Sequence, residues 1–388
     1  MKILIYGGSF NPPHMGHVLA ARAAREALRP DLLLIIPACV PPHKALAESS
    51  APAERRLEMA KIAFSGLENT LVSDMEIARG GKSYTADTLR ALLARYPGAD
   101  FTLLMGTDML LCFESWREAE FLMSAAALGV FPREEGERGL LEEKAARLRE
   151  TYGANVTVIP AVPHPAASTD IRAELRQRRG RELLPEEVYA YIIRCRLYGA
   201  KPEFPWLREQ AAAMLKPKRV PHVLGCEQEA VRLARRWGED EEDAAEASIL
   251  HDITKKFVLD EQLLLCEKYG IIADSLESRS EKLLHSKTGA AVARDKFGAS
   301  DRVCEAIRWH TTGKADMSLL EKILYMADYI EPTRDFEGVD TLRRLAYQDL
   351  DEAMILGLEM SLEDITSRGE PPHENTVKAL AWLKDHRQ

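Results

Sequence analysis

Two stretches of the chain gather residue types that do chemistry. The first is Gly7-Gly8-Ser9-Phe10-Asn11-Pro12-Pro13-His14-Met15-Gly16-His17. It follows the apolar run Ile3-Leu4-Ile5-Tyr6 and leads into Val18-Leu19-Ala20-Ala21, which reads as a helix interior. Strand, glycine-rich turn and helix start together make a phosphate site. Glycines let the backbone approach an anion, and the free N–H groups of a helix start point at it. His14 and His17 stand three residues apart on the first helical turn, so both would meet one ligand. Glycine-rich turns are common, and the His-x-Gly-His ending is the specific part.

The second stretch lies in the C-terminal half. His251-Asp252 interrupts Ala247-Ser248-Ile249-Leu250 and Ile253, read here as one apolar helix over Glu242–Lys255. Asp328 interrupts Ile323-Leu324-Tyr325-Met326-Ala327 and Tyr329-Ile330. His222, His285 and His310 each begin or end a helical pattern. A lone polar residue at such a position is usually hydrogen-bonded core. Four histidines and two aspartates, where bare charge is costly, read better as a metal site. His373 and His386 lie in charged surroundings and read as surface residues.

These residues need elements to hold them. In the first half, apolar runs alternate with helical patterns. Candidate strands are Lys2–Tyr6, Leu32–Pro37, Thr70–Met75, Asp100–Gly106, Ala125–Phe131 and Asn155–Pro160. Ala53–Phe64, Thr85–Arg95 and Gly139–Tyr152 are helical. This alternation predicts an α/β, Rossmann-like domain, a parallel sheet with helices on both faces and ligands beyond the carboxyl ends of its strands. The conspicuous residues fall there: Pro42-His43-Lys44, Ser83-Tyr84-Thr85, Gly106-Thr107-Asp108 with Trp116, Pro132-Arg133, and Ser168-Thr169-Asp170-Ile171-Arg172. A glycine- and proline-bearing linker over 198–205 separates residues 1–197 from 206–388. Beyond it, strand signals stop and an all-α domain follows.

With 388 residues, two domains are expected. A net charge of −9 argues against a nucleic-acid binder. Six scattered cysteines without Cys-x-x-Cys suit reduced thiols in a cytoplasmic protein. No apolar stretch is long enough to cross a membrane. Oligomeric state is not readable from the sequence.

Residues 1 to about 195 resemble the bacterial nicotinate-mononucleotide adenylyltransferases of the His-x-Gly-His nucleotidyltransferase superfamily. The resemblance rests on the first motif, Pro-Pro-His-Lys, Ser-Tyr-Thr-Ala-Asp-Thr-Leu, Gly-Thr-Asp with a following Trp, and Ser-Thr-Asp-Ile-Arg. It implies attack by the 5′-phosphate of nicotinate mononucleotide on the α-phosphorus of ATP, with Mg²⁺ travelling on ATP. Gly7, Gly8, Ser9 and Phe10 would shape the phosphate turn. His14 and His17, favoured in their protonated forms by the gathered charge, would contact the ATP phosphates. Lys44, Arg133 and Arg172 would add positive charge. Ser168 and Thr169 would donate from a helix start, and Gly106-Thr107-Asp108 would meet a ribose through Asp108. Trp116 would stack on the nicotinate ring, with Tyr84-Thr85 receiving its carboxylate. Where the family carries two serines before the threonine, Ala167 replaces the first, leaving one fewer hydroxyl for the phosphates.

Residues 205–388 resemble the HD superfamily of metal-dependent phosphohydrolases, and more narrowly its symmetrical bis(5′-nucleosyl)-tetraphosphatases. The supporting strings are His222-Val-Leu-Gly-Cys, Leu250-His251-Asp252-Ile-Thr-Lys255, His285-Ser-Lys-Thr-Gly-Ala, His310-Thr-Thr-Gly and Ala327-Asp328-Tyr-Ile-Glu-Pro-Thr-Arg334. Cys226 stands where a valine is expected. The resemblance implies one metal on His222, His251, Asp252 and Asp328, and a second on Asp252, His285 and His310, with iron or manganese suiting the ligands. Lys255 and Arg334 would neutralise a polyphosphate, and dinucleoside polyphosphates such as diadenosine tetraphosphate would be cut to two ADP. The alternatives are a nucleotidase and a nucleotide sensor without turnover.

Overall fold

The computed structural model describes residues 1–42, 49–164 and 166–386. Lys44, with its neighbour His43, lies outside the described residues. The chain divides into two compact units, Met1–Lys201 and Pro202–Gln388.

The first unit is built on a six-stranded sheet: β1 (Lys2–Gly8), β2 (Leu32–Pro37), β3 (Thr70–Val72), β4 (Asp100–Gly106), β5 (Ala127–Phe131) and β6 (Val156–Val158). Their order is β3-β2-β1-β4-β5-β6, with every pairing parallel. Central strands covered on both faces need continuous apolar runs, and Ile3–Tyr6 and Leu33–Ile36 are all buried.

Four strands differ in length from the sequence reading, β6 among them, which is trimmed at both ends to Val156–Val158. β3 stops at Val72 because the helix Met75–Arg79 begins where strand was expected. β5 starts late because Ala125 ends the helix Ala119–Ala125. β1 runs on through Gly7 and Gly8, which pair with Ile36 and Pro37, so these glycines close a strand and the turn proper starts at Ser9.

Arg56 locks that turn in place. Its guanidinium is 1% exposed and donates to the carbonyls of Ser9, Ala38, Cys39 and Ala51. Arg56→Met leaves four carbonyls short of a donor, two of these bonds being fully buried. A loss of about 3 kcal/mol is expected, read by denaturant unfolding of the full chain. A change below about 1 kcal/mol would show that Arg56 is not the tie. Tyr198, within the stretch read as linker, is buried in this unit and its hydroxyl donates to Asn11 Oδ1 at 2.8 Å.

Among its described residues the second unit has helices and no strand. The sequence reading missed the helices Val339–Ala346 and Glu374–Asp385. It also ran one helix too far: Glu241–Leu250 ends before His251, and 251–256 form turns. Successive residues on a helix point about 100° apart. Breaking the helix there lets His251 and Asp252 face one centre.

Candidate functional sites

At the middle of the sheet, β1 and β4 are neighbours, and the chain leaves them toward opposite edges. A crevice opens beyond their carboxyl ends. The turn after β1 supplies its floor. Phe10 has φ 46°, and its fully buried ring packs against Tyr6, His17 and Phe64. A ligand could therefore meet Phe10 only through its backbone. A Cβ on Gly8 would sit 3.1 Å from the Phe10 ring.

His14 caps the helix Met15–Leu28. A Cβ at Gly16 would lie 3.1 Å from His14 Nδ1, so glycine between the histidines lets the His14 ring fold over the helix start. There its centroid is 3.8 Å from that of His17. The His14 backbone N–H donates to His17 Nδ1 at 3.2 Å, which leaves the proton of a neutral His17 on Nε2. Burial, then Arg133 and His164, push the His14 pKa down to about 3. Burial, then His14 and Arg133, hold that of His17 well below its ordinary value. The ligand-free protein thus keeps both rings neutral at pH 7, and a proton on either would have to arrive with an anion.

Arg133 reaches over the end of β4. Its Nε is 3.1 Å from Asp108 Oδ1, and a Cβ on Gly106 would lie 2.6 Å from that same Nε. Gly106→Ala displaces the guanidinium. The His14 pKa, followed by NMR, is expected to rise from about 3, because the second-largest depressing influence moves away. An unchanged midpoint would place Arg133 elsewhere in solution.

Glu137 holds the loop that presents Arg133. It accepts the Arg133 N–H at 2.7 Å and the Thr107 hydroxyl at 2.5 Å. Ser168 and Arg172, at the start of the helix Ser168–Arg176, donate to the carbonyls of Pro12 and Asn11 at 3.1 and 2.6 Å. Thr169 adjoins them, 3.3 Å from the Arg172 guanidinium. His14, His17, Arg133, Ser168 and Arg172 are thereby gathered around one turn.

Tyr84 and Thr85 open the helix Thr85–Arg95, and Trp116 is half-buried against Phe113. Arg117 lies 4.7 Å over the Tyr84 ring, which places the two segments side by side. Sequence reasoning missed Arg56, Glu137, His164 and Tyr198, since nothing in their spacing marks them.

In the second unit, four imidazoles and two carboxylates converge. His222 comes from the first turn of the helix Val220–Trp237, His285 from Glu281–Phe297, and Asp328 from Leu319–Ile330. His310 closes Asp301–Trp309. The four histidines and Asp252 are buried. His222 Nε2 is 3.0 Å from Asp328 Oδ1, with His251 Nε2 3.4 Å away. His285 and His310 bring their Nε2 atoms to 3.1 Å. Asp252 stands between, Oδ2 3.4 Å from His251 Nε2 and Oδ1 3.2 Å from His285 Nε2.

The orientation of the rings decides what this cluster is for. Nδ1 of His251, His285 and His310 each contacts a carbonyl three residues earlier, Ser248, Lys282 and Ile307, at 2.6–2.7 Å. A carbonyl only accepts, so Nδ1 carries the proton and Nε2 offers a lone pair. Lone pairs therefore face one another and the carboxylate across about 3 Å. Asp252 Oδ1 is buried without a hydrogen bond of good geometry. Such an arrangement is unfavourable until cations enter it, and the donor set fits a metal centre. Burial opposes ionisation of Asp252 and Asp328, yet the positive charge of neighbouring groups, Lys255 and Arg334 among them, outweighs it and holds both pKa values well below the carboxylate range.

Three cations surround the carboxylates. Lys255 Nζ is 3.2 Å from Asp252 Oδ1, and Arg334 lies 2.8 Å from Asp328 Oδ1. Arg219, which sequence reasoning missed, donates to Asp252 Oδ2. Cys226 is a buried thiol, and all six cysteines are free.

A further cluster, Asp274, Glu277 and His373, has the composition of a metal site but the wrong chemistry. His373 is 5% exposed, not a surface residue, because it caps the helix Glu374–Asp385. Its Nδ1 accepts the Asn375 N–H at 3.1 Å, so the proton sits on Nε2, facing Asp274 Oδ2 at 3.0 Å. Lys287 already neutralises Glu277. This is a capped ion-pair cluster. His386 is exposed. Among the described residues no helix is long and apolar enough to cross a membrane.

Comparison with known proteins places both halves. A Cytidylyltransferase-like family model matches residues 5–174, and an HD domain model matches residues 219–333. A probable nicotinate-nucleotide adenylyltransferase of Exiguobacterium sibiricum is 38% identical over 200 residues, covering 51% of this chain and 100% of that protein. The symmetrical bis(5′-nucleosyl)-tetraphosphatase of Bacillus subtilis is 35% identical over 181 residues, 45% of this chain and 97% of that protein. A crystal structure of a predicted HD superfamily hydrolase involved in NAD metabolism, from Clostridium acetobutylicum, is 35% identical with a TM-score of 0.47. It covers 48% of this chain and all of that one.

Proposed function

On the premise that the chain belongs to the nicotinate-nucleotide adenylyltransferase family in its first half and carries an HD domain in its second, we propose that it runs two reactions. The first unit transfers AMP from ATP to nicotinate mononucleotide, releasing pyrophosphate. The observation that carries this reading is the His14–Gly16–His17 corner at the point where the sheet reverses its winding. No covalent intermediate is needed, so the residues act by position and charge. His17 Nε2–H and His14 would donate to phosphoryl oxygens as charge shifts onto the leaving pyrophosphate. Arg133 and Arg172 would exchange their present partners for phosphates, and Lys44 would add its charge. Ser168 and Thr169 would donate beside them, Asp108 would accept from a ribose, and Trp116 with Tyr84-Thr85 would hold the nicotinate. Mg²⁺ would accompany ATP.

The second unit hydrolyses dinucleoside polyphosphates, diadenosine tetraphosphate giving two ADP. The convergence of the His251, His285 and His310 Nε2 lone pairs on Asp252 carries this reading. His222, His251, Asp328 and Asp252 Oδ2 would hold one iron or manganese ion, and Asp252 Oδ1, His285 and His310 a second. Bound metal would supply Lewis-acid polarisation and an activated water. Arg219, Lys255 and Arg334 would turn from the carboxylates to the bridging phosphates and fix the scissile one against the centre. Incubating the Mn²⁺-loaded protein with diadenosine tetraphosphate in ¹⁸O-water tests this. Label confined to ADP supports central cleavage, and labelled AMP or ATP would mean asymmetric cleavage. Release of inorganic phosphate from a nucleoside monophosphate with the tetraphosphate left intact would make it a nucleotidase, and binding without turnover would make it a sensor.

A further inference from the structure

His222 is oriented differently from the other three site histidines. They donate to carbonyls of their own helices, whereas His222 Nδ1 meets a carboxylate, Glu331 Oε1, at 2.9 Å. Glu331 is 0% exposed and is itself pinned. The Thr333 N–H donates to Oε2 at 2.7 Å, and the Thr333 hydroxyl donates to Oε1 at 2.5 Å. A carboxylate with this much support inside a protein serves a partner. A second observation, independent of these contacts, comes from Gly225. It lies within a helix, where glycine is costly, and a Cβ there would stand 2.6 Å from Glu331 Oε2. The helix carries a glycine one turn after His222 so that Glu331 can enter.

We propose that Glu331 is a positioning residue for the metal centre, fixing the His222 tautomer and lending negative charge to that ligand alone. This rests on the metal reading of the second unit. It makes the centre asymmetric: the His222–Asp328 position has a charged supporting group, and the His285–His310 position has neutral carbonyls. Loss of such a group typically weakens metal binding about 10–100-fold.

The test measures Mn²⁺ binding to the full chain by the EPR signal of the free ion, with ¹⁵N NMR of the metal-free histidines. Glu331→Met and Gly225→Ala are expected to weaken one of two Mn²⁺ positions about 10–100-fold, leaving the other near wild type. Glu331→Gln keeps an acceptor and is expected to retain the tautomer with a smaller loss. The Mn²⁺ position that stays near wild type in all three reports that this unit is folded. Two equal wild-type-like Mn²⁺ positions in Glu331→Met and Gly225→Ala would overturn the inference alone. A wild-type chain that binds no Mn²⁺ would overturn the metal reading and the inference with it.

Discussion

Replacing His17 with Ala lowers the turnover number for adenylyl transfer by about 10²–10³-fold and moves the KM values for ATP and nicotinate mononucleotide only a few-fold. The size of the effect follows from where the donor stands. His17 Nδ1 is engaged by the His14 N–H, so Nε2–H is preset and needs no reorganisation. The ring packs against Tyr6 and Phe10, which fixes its plane. A preset donor in a water-poor site acts mainly where charge develops, and its loss falls on turnover more than on binding. The structural cost is smaller: the His14 N–H loses an acceptor, about 1 kcal/mol. Steady-state kinetics with both substrates checks this, and turnover within threefold of wild type would remove His17 from the chemistry.

Replacing Asp252 with Asn abolishes hydrolysis and metal retention together. Its two oxygens face different halves of the cluster, so it is the residue through which both ions would be held. The amide has one acceptor oxygen and no charge, and its NH₂ would point toward imidazoles that offer only lone pairs. Losing the ions forfeits several kcal/mol of transition-state stabilisation, on the order of a thousandfold or more in rate. Metal content per chain after dialysis should fall below one ion. Full retention of two ions would show that Asp252 does not bridge. Adenylyl transfer should be unaffected.

Much of this was legible in the sequence because the residues are of scarce types at fixed spacings. The apolar runs of β1, β2 and β4 identified a parallel sheet, and the chemistry-bearing residues after each strand marked its working edge. Histidines and aspartates inside apolar helices stood out because charge there is costly. The groups that orient them were not legible. Arg56 reads as one more basic residue on an amphipathic helix, yet it is among the largest fully buried side chains. Glu331 sits in a motif without a role until His222, more than a hundred residues away, is seen to donate to it. Gly225 was the available signal, a mid-helix glycine near a ligand candidate. His373 misled for the opposite reason: charged neighbours in sequence suggested solvent, but its ring turns inward to Asp274 and Glu277, about a hundred residues earlier.

The central claim is that one chain carries two independent phosphate chemistries. One crossed assay tests it: wild type, His17→Ala and Asp252→Asn, each given ATP with nicotinate mononucleotide and Mg²⁺, and separately diadenosine tetraphosphate with Mn²⁺. Dinucleotide and pyrophosphate should disappear only in His17→Ala, and ADP from the tetraphosphate only in Asp252→Asn. Loss of both activities in either variant, or hydrolysis that survives Asp252→Asn, would contradict the account.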